Sequence, residues 1–319
     1  MTRNQLLFLM VLCVSTTYLL IDPHVGTSYK FYAQQVQVLR DGYHITVYPI
    51  TPWLLYCIDI FVNNITLSIK YLTMFCMALS TLLCLPLTRG KHTWLALLIP
   101  MNPYFFFMAQ NALVRNVVSV PLLIFLLFGL DQINRKQIQQ GMIITGTGIF
   151  LLFFTHNLSL MVGSLMVVMY TLLSDNITRQ KKSLIIFIIS IIVGMVLLSN
   201  MEALVPWMLA NAWVNWPRIF ESILYVPVVT VLFNFVLVIL FPPDNTTTRM
   251  CAIVGALLIA GSWIAPIGID LRLIYYTPVF LLLCMYSNIE DSRYVGVQVF
   301  GYLLMVVHFF VLLASSTIL

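Results

Sequence analysis

Long apolar runs separated by short polar hinges dominate this 319-residue chain. A bilayer requires such runs of its helices, because a backbone surrounded by hydrocarbon must satisfy its own hydrogen bonds. The pattern predicts an all-α, polytopic integral membrane protein with about eleven spans, forming one transmembrane domain over residues 1–319. The predicted spans are Leu6–Ile21, Ile65–Leu87, Thr93–Phe107, Asn116–Leu130, Gly141–Phe154, Leu158–Leu173, Leu184–Leu198, Ile223–Phe241, Met250–Ala265, Leu273–Met285 and Tyr294–Ile318.

Two segments between the predicted spans, at about residues 22–64 and 200–222, are too long to be hinges. In the first, apolar side chains recur at helical spacing at Tyr29, Tyr32, Val36 and Leu39. Asp41-Gly42 then provides a natural helix stop, so a short interfacial helix is expected here. After Tyr48-Pro49, the apolar stretch Trp53–Val62 is too short to cross a bilayer and is expected to lie on it or dip into it.

The second long segment, Asn200–Glu221, combines three tryptophans with two prolines. Tryptophan is enriched at the headgroup level of membranes, and proline interrupts regular helices. This composition predicts a re-entrant or surface-lying element at the outer face.

The few charges set the predicted orientation, because only 8% of the residues are charged while 61% are hydrophobic. With the N-terminus inside, the inner hinges hold Arg3, Arg89, Lys91, Arg135, Lys136, Arg179, Lys181, Lys182, Arg249 and Arg293. The outer segments hold only Lys30, Arg40, Arg115, Arg218 and Arg272, and Lys70 lies within a span. This positive-inside bias predicts a cytoplasmic (plasma) membrane protein with a cytoplasmic N-terminus and an extracytoplasmic C-terminus.

The charge distribution and the absence of known motifs argue against several classes of function. The net charge of +5 is dispersed through short hinges, so it is interpreted as a topology signal and not as a nucleic-acid surface. The sequence has no phosphate-binding loop, no HExxH, no CxxC and no GxSxG, which removes support for ATP-driven transport, metalloprotease action and serine hydrolysis. The first apolar run is expected to be a span and not a cleaved signal, because no small-x-small site precedes Asp22.

Polar residues from distant parts of the chain fall on the predicted outer face. They are Asp22, His24, His44, Arg115, His156, Glu202, Arg218, Asp270 and Arg272. Charged groups at the membrane boundary are costly unless they face a cavity, a partner or water. Their convergence predicts a shared polar cavity; the alternative is that each one caps the end of a span.

Each candidate has a chemical role and a structural alternative. Asp22 follows the first span, where a carboxylate can act as a general base on an acceptor hydroxyl or simply cap a helix. Arg115 and Arg272 stand on the outer side, where a guanidinium can hold a phosphate or pair with a local carboxylate such as Asp270. Lys70 can reach outward from its span by snorkelling.

The remaining candidates are weaker signals. His24 and His44 are candidates for positioning a sugar, or are hydrated loop side chains. His156 lies in a hinge too short to be solvated on its own account, which leaves a functional role and a structural one equally open. Tyr48 adjoins the break before Pro49, and Arg218 is a third candidate for binding the donor phosphate.

These elements together resemble a known group of membrane enzymes. The segment Asp22–Pro52 resembles the first outer loop of GT-C membrane glycosyltransferases, with an acidic residue, a tyrosine-bearing helix and a Tyr-Pro break. Three further elements are similar to those of EpsG and Wzy-like polysaccharide polymerases: Asn102-Pro103-Tyr104-Phe105, Asn111–Asn116 and Phe154–Ser159. Asp270-Leu271-Arg272 with Tyr275-Tyr276 resembles their late arginine-tyrosine element.

The resemblance covers about residues 20–285, and each of its elements is short. Asn116 stands where glutamine is usual in that group, and Asn157-Leu158 where a Lys-Ser or Ser-Ser pair is commoner. The resemblance implies transfer of a sugar or oligosaccharide from a polyprenyl phosphate or diphosphate carrier to an acceptor hydroxyl outside the membrane.

The implied site residues match the candidates named above. The resemblance implies a catalytic base at Asp22, binding of the donor phosphate by Arg115, Arg272 and Arg218, and positioning of the substrate by His24, His44, Tyr48, His156 and Asp270. The implied partners are a polyprenyl-linked saccharide donor, a glycan or lipid-linked acceptor and membrane lipids, without nucleic acid. No cofactor is specified; a divalent metal stays open, although isolated carboxylates provide no ligand set.

Two other function classes remain open from the sequence. A transporter or flippase of lipid-linked saccharides would share the apolar spans, but it commonly shows repeated halves or helices broken at mid-membrane. A non-catalytic subunit of a membrane complex would use the outer charges as interface pairs and small-residue faces for packing, for which Gly141, Gly146 and Gly148 are the candidates.

Overall fold

The computed structural model describes residues 3–45, 48–88, 96–97, 99–175, 177–199 and 246–264, with isolated positions at 276, 280, 303, 306, 307, 310 and 314. Within these ranges the chain forms helices, and none of the described residues lies in a strand. The all-α fold class is confirmed for this part of the chain.

Ten α-helices follow one another along the described residues. They are α1 (Arg3–Thr16), α2 (Thr27–Arg40), α3 (Ile50–Val62), α4 (Ile65–Cys84), α5 (Pro103–Gln110), α6 (Val114–Asn134), α7 (Ile138–Phe153), α8 (Asn157–Leu173), α9 (Arg179–Ser199) and α10 (Thr246–Ile264). Two short 3₁₀ helices, Thr17–Leu20 and Leu85–Thr88, extend α1 and α4.

Two stretches of helix in the described residues are long and apolar enough to cross a membrane. They are Ile65–Leu87, which is α4 with its 3₁₀ extension, and α6. Both coincide with predicted spans. Shorter apolar helices lie at Gln5–Leu20, Ile50–Val62, Ile138–Phe153, Asn157–Leu173 and Thr246–Gly261. The count of eleven spans stays a prediction, and the expected elements at 200–222, 223–241, 273–285 and 294–318 lie outside the continuously described ranges.

The prediction of a single span over Thr93–Phe107 is wrong in its described part. Residues 99–101 form a turn, and α5 begins only at Pro103. The prolines at 100 and 103 explain the difference. Each lacks a backbone N–H, and each disfavours helical geometry in the residue before it.

The helix predicted in the first long segment forms, whereas its position at a membrane interface stays a prediction. It is α2, and its expected apolar side chains Tyr32, Val36 and Leu39 are buried. The helix ends at Arg40, and Gly42 has a φ of +82°, the left-handed geometry that favours glycine at a helix stop. The apolar stretch after Tyr48-Pro49 is also helical: α3 begins at Ile50, three residues before the expected start.

An ion pair joins α2 to α3 and extends to α4. Arg40 Nη2 donates to the carboxylate of Asp59, which is only 1% exposed although it lies within an apolar helix. The one proton of Ser68 Oγ is shared between the other oxygen of the same carboxylate at 3.1 Å and the Asn64 carbonyl oxygen at 2.9 Å. Arg40 Nη2 also reaches Asn63 Oδ1 at 2.9 Å. A buried charge is tolerated only when it is paired and hydrogen-bonded, so Asp59 ties the three helices together.

The chain divides into two compact units. The first unit comprises Met1–Phe125, Phe150–Ser159 and Met305–Leu319, and the second comprises Leu126–Ile149 and Leu160–Leu304. All the predicted site residues that the structure describes belong to the first unit.

In the second unit, glycines bring α7 against the last turns of α6. A Cβ added to Gly141 would lie 2.5 Å from Ile133 Cγ1 and 2.7 Å from the carbonyl oxygen of Gly129. A Cβ added to Gly129 would lie 2.6 Å from Thr145 Oγ1, and Gly148 also faces α6 closely. Real Cβ atoms do not occupy such distances, so these glycines are required for the close approach of the two helices.

Candidate functional site

Arg115 lies at the start of α6, where its backbone is held by a side chain from α2. The Arg115 N–H donates to the phenol oxygen of the buried Tyr32 over 3.1 Å. The first N–H groups of a helix have no partner within the helix, so this phenol satisfies one of them. A helix N-terminus carries partial positive charge, and the guanidinium adds a full charge at the same end.

Aromatic rings surround the Arg115 guanidinium. Its Cζ lies 4.8 Å from the ring centroid of Phe31, 5.1 Å from that of Tyr48 and 6.0 Å from that of Tyr32. We call these four residues the Arg115 site. Each ring face attracts a cation by about 0.5 to 2 kcal/mol, but an aromatic ring does not neutralise the charge.

The charge of Arg115 has no acidic partner among the described residues, whose ion pairs join other groups. Its Nε is buried and makes no hydrogen bond within the described part of the chain. A buried donor left without a partner costs about 1 to 3 kcal/mol, and more when the group is charged. The Arg115 site therefore combines a positive charge with an unused N–H donor, and these are the features that bind an anion.

Tyr48 contributes to the Arg115 site from a strained backbone. Its φ is +51°, in the left-handed region, which costs a residue other than glycine about 1 to 3 kcal/mol. Two residues later, the Ile50 N–H donates to the Phe154 carbonyl oxygen over 3.5 Å, a long contact that connects this segment to the turn before α8. Strain of this kind persists where the surroundings enforce it, which is common at ligand sites.

Asp22 forms an ion pair with Lys70, 2.5 Å away in α4. Lys70 Nζ also donates to the carbonyl oxygen of Leu19 over 3.0 Å. The Lys70 side chain is 11% exposed and that of Asp22 is 79% exposed. Lys70 thus reaches the end of the first apolar helix, while most of the Asp22 carboxylate remains exposed.

The histidines His24 and His44 both lie in loops, and the backbone of His24 is hydrogen-bonded to another segment. The His24 N–H donates to the Gln110 carbonyl oxygen over 2.7 Å, which ties the loop after Asp22 to the end of α5, five residues before Arg115. The His24 and His44 side chains are both exposed. Their proposed contact with a sugar stays a prediction.

His156 immediately precedes α8 and is half-buried. Its Nδ1 lies 3.4 Å from Ser159 Oγ, and Ser159 Oγ lies 2.6 Å from Ser119 Oγ. Ser119 Oγ in turn donates to the Arg115 carbonyl oxygen over 2.7 Å. A chain of hydrogen bonds thus links the histidine to the backbone of the Arg115 site.

The structure brings some of the predicted residues together, and others lie outside the residues it describes. Arg115 and Tyr48 are in direct contact, and hydrogen bonds connect His156 and the His24 loop to the segments around them. Arg218, Asp270, Arg272 and the segment 200–222 lie outside the described residues.

Sequence reasoning did not identify three residues that shape the site. Phe31 and Tyr32 were expected only as part of an interfacial helix, and Lys70 was not assigned to Asp22. A usable signal was present: α2 carries two adjacent aromatics, one of them on its buried face.

The described residues show no metal cluster at this site, and the groove they form lies elsewhere. Within the described ranges, no group of three or more His, Cys, Asp or Glu side chains could hold a metal ion. An open surface groove of about 650 Å³ is lined by residues 136–140, 143 and 144 at the start of α7, and none of the predicted site residues lines it.

No protein-family model matches this sequence, and no curated protein is significantly similar to it.

Proposed function

We propose that this protein is a GT-C-like membrane glycosyltransferase or polysaccharide polymerase. It transfers a sugar or oligosaccharide from a polyprenyl-(di)phosphate carrier to an acceptor hydroxyl on the outer face of the membrane. One observation carries the proposal: a half-buried guanidinium at a helix N-terminus, surrounded by three aromatic rings and lacking an acidic partner among the described residues.

The chemistry requires stabilisation of the departing phosphate and a base for the acceptor. Arg115 provides a planar set of N–H donors whose Nε is unused, which suits phosphate oxygens. Charge that develops on the leaving phosphate is stabilised by donors already in place. Asp22 is the proposed base, since its carboxylate is largely exposed beside the loop that reaches the end of α5.

The membrane topology is part of the proposal. We propose about eleven spans with the N-terminus in the cytoplasm, supported by the positive-inside bias and by the two long apolar helices. In a cysteine-free background, Gln34→Cys in α2 should react with an impermeant thiol reagent added outside intact cells, whereas Gln137→Cys between α6 and α7 should not. Both side chains are exposed, so accessibility is comparable. Labelling of the Gln137 variant from outside would reverse the orientation.

The phosphate role is tested by changing the shape of the cation while keeping its charge. Arg115→Lys loses the planar donor set, so transfer from a polyprenyl-linked donor should fall on the order of 10²-fold. Arg135→Lys is the matched control, because Arg135 directly follows α6 and pairs with Asp131 at 2.6 Å. The assay measures glycan product from purified variants at equal protein concentration. Normal transfer by the Arg115 variant would remove Arg115 from the reaction.

The base role is tested by Asp22→Asn, which keeps the shape of the side chain and removes its basicity. Transfer should fall by about 10² to 10⁴. Folding should be nearly unchanged, because ion pairs with an exposed partner contribute about 0 to 1 kcal/mol. Asp41→Asn is the control, since Asp41 is exposed and accepts only a local hydrogen bond from Gln37 at 2.8 Å. Near-normal turnover of the Asp22 variant would exclude it as the base.

The same preparations distinguish the other function classes. Movement of a labelled lipid-linked saccharide across proteoliposomes without formation of a glycosidic bond would identify a flippase. A non-catalytic subunit would use its glycines to pack against a partner protein. Gly141 and Gly148 are already packed against α6 of the same chain. Gly146, in contrast, faces open space.

A further inference from the structure

Gln35 of α2 carries a second unsatisfied polar atom in the first unit. Its side-chain oxygen, Oε1, is buried and accepts no hydrogen bond within the described part of the chain, just as the buried Nε of Arg115 donates none there. A buried acceptor without a partner is unfavourable, as is an unused donor. The two atoms are complementary in kind, so one ligand that offers both an acceptor and a donor would satisfy them together.

Helix geometry places Gln35 on the face of α2 that meets the Arg115 site. Phe31 and Tyr32 precede it by four and three residues, the spacings at which helical residues are neighbours. At about 100° per residue, Gln35 projects between the directions of these two aromatic residues. A Cβ in a helix tilts toward the N-terminus, so the Gln35 side chain leans back over the turn that carries both rings. The Arg115 Cζ lies 4.8 Å from one ring centroid and 6.0 Å from the other, so Gln35 and Arg115 are placed to reach the same ligand.

The charge of Arg115 also determines which end of the amide faces the site. A side-chain amide turns the negative end of its dipole toward a nearby cation, so Oε1 of Gln35 faces the guanidinium.

We propose that Gln35 is a specificity-determining residue of the Arg115 site, where its Oε1 accepts a hydrogen bond from a hydroxyl group of the ligand. The ligand is a phosphate ester with a hydroxyl near the phosphorus, as in a glycosyl phosphate. Its phosphate oxygens accept from Arg115, and its hydroxyl donates to Gln35. Phosphate binding by Arg115 rests on the proposed function, whereas recognition of the hydroxyl by Gln35 goes beyond it.

Two probes separate the hydroxyl from the phosphate: glucose 1-phosphate and cyclohexyl phosphate, whose six-membered ring has no hydroxyl. Their binding to the full-length chain in micelles is measured by titration calorimetry. Gln35→Met keeps the length of the side chain and removes its polar atoms. The affinity for glucose 1-phosphate should fall about three- to tenfold, the effect of one neutral hydrogen bond, while the affinity for cyclohexyl phosphate should not change.

Gln34→Met is the matched control, because Gln34 is the same residue type in the same helix and is exposed. It should leave the affinity for both esters unchanged. Equal losses for the two esters in the Gln35 variant would show that Gln35 acts only through the position of Arg115, and would overturn the inference. Binding of neither ester by the unsubstituted protein would refute phosphate binding by Arg115 and this inference with it.

Gln35→Glu tests whether residue 35 faces Arg115. A carboxylate at this position would pair with the guanidinium and compete with phosphate, so both esters should bind about tenfold more weakly or worse. Gln34→Glu adds the same charge at the exposed neighbouring position and should have a much smaller effect. Equal effects of the two glutamates would contradict the placement of Gln35.

Stability provides an independent measurement on the same variants. Because the buried oxygen of Gln35 has no partner in the described part of the chain, Gln35→Met should unfold at the same concentration of denaturing detergent as the unsubstituted protein, or at a higher one. A clear loss of stability would show that Gln35 has a structural partner, and would also overturn the inference.

A third probe distinguishes the two sources of a glycosyl phosphate, a lipid carrier and the free sugar phosphate. It is glucose 1-phosphate esterified with citronellol, a short prenyl chain. Under the proposed function it should bind more tightly than glucose 1-phosphate, and Gln35→Met should weaken it by the same factor. Tighter binding of the free sugar phosphate would refute a polyprenyl donor and still support recognition of the hydroxyl by Gln35. Saccharide transfer without any discrimination by Gln35 between the glucose and cyclohexyl esters would support the proposed function and refute this inference.

Discussion

The glycine contacts between α6 and α7 allow the sharpest stability prediction, because α7 carries its own control. Gly141 is buried against α6, whereas Gly146 is exposed and has nothing within 4 Å of an added Cβ. Gly141→Ala and Gly146→Ala make the same chemical change in the same helix. Any difference between them therefore measures packing and not helix propensity.

The magnitude follows from the distances. Alanine is favoured over glycine within a helix by about 0.5 to 1 kcal/mol, so Gly146→Ala should stabilise by up to that amount. At Gly141 the added methyl meets Ile133 Cγ1 at 2.5 Å and Ile133 N at 2.8 Å, and a backbone nitrogen cannot move as a side chain can. Overpacking of this kind costs about 1 to 3 kcal/mol. The two variants should differ by that cost.

The comparison requires a reversible unfolding equilibrium of the purified protein in mixed micelles, with titration by a denaturing detergent. A difference of one to two kcal/mol changes the unfolding equilibrium about 5- to 30-fold, which such a titration detects. Gly129→Ala should resemble Gly141→Ala, since its Cβ would lie 2.6 Å from Thr145 Oγ1. Equal stability of the Gly141 and Gly146 variants would refute the close approach of α6 and α7.

Three further predictions concern the first unit. Arg40→Met should destabilise the fold by about 3 kcal/mol, because it leaves the nearly fully buried carboxylate of Asp59 without its cation. Asp59→Asn should cost only about 1 to 2 kcal/mol, because the Arg40 side chain is 40% exposed and can be rehydrated. Equal losses in the same detergent titration would contradict this asymmetry. Lys70→Met keeps the packing of the side-chain stem but removes a charge-assisted contact to Asp22. Transfer should therefore fall about tenfold with little change in stability. Unchanged transfer would show that the ion pair has no part in the reaction. Tyr48→Phe keeps the ring over the guanidinium, so it should transfer about three- to tenfold faster than Tyr48→Leu. Equal activity of the two variants would show that the ring face is dispensable.

The helices were predictable because their ends carry local signals. The Asp41-Gly42 stop, the break at Pro49 and the polar hinge between α6 and α7 are all read within a few residues of sequence, and the helices begin or end close to them. Hydropathy alone did not predict the break within Thr93–Phe107. The segment is apolar enough for a span, but two prolines divide it.

The candidate site was predictable only one residue at a time. Arg115 stood out because a basic residue on the outer side opposes the positive-inside bias. Its aromatic neighbours come from two other segments, around Phe31 and at Tyr48, and no local pattern reports contacts between distant segments. Asp59 was not predicted, because a single carboxylate in an apolar run has no evident role in the sequence until its partners are known.

The buried carboxylate of α3 also constrains the order of assembly. As an isolated segment, α3 would place the Asp59 carboxylate among apolar side chains without its cation or its hydrogen bonds, which is unfavourable for a buried charge. Its cation comes from α2, synthesised before it, and its serine donor comes from α4, synthesised after it. Because the partners of the two carboxylate oxygens come from different helices, Asp59 has all of them only after α4 has been synthesised. We therefore expect residues 27–84 to assemble in one cooperative step, in which α3 reaches its final packing together with the helix that follows it.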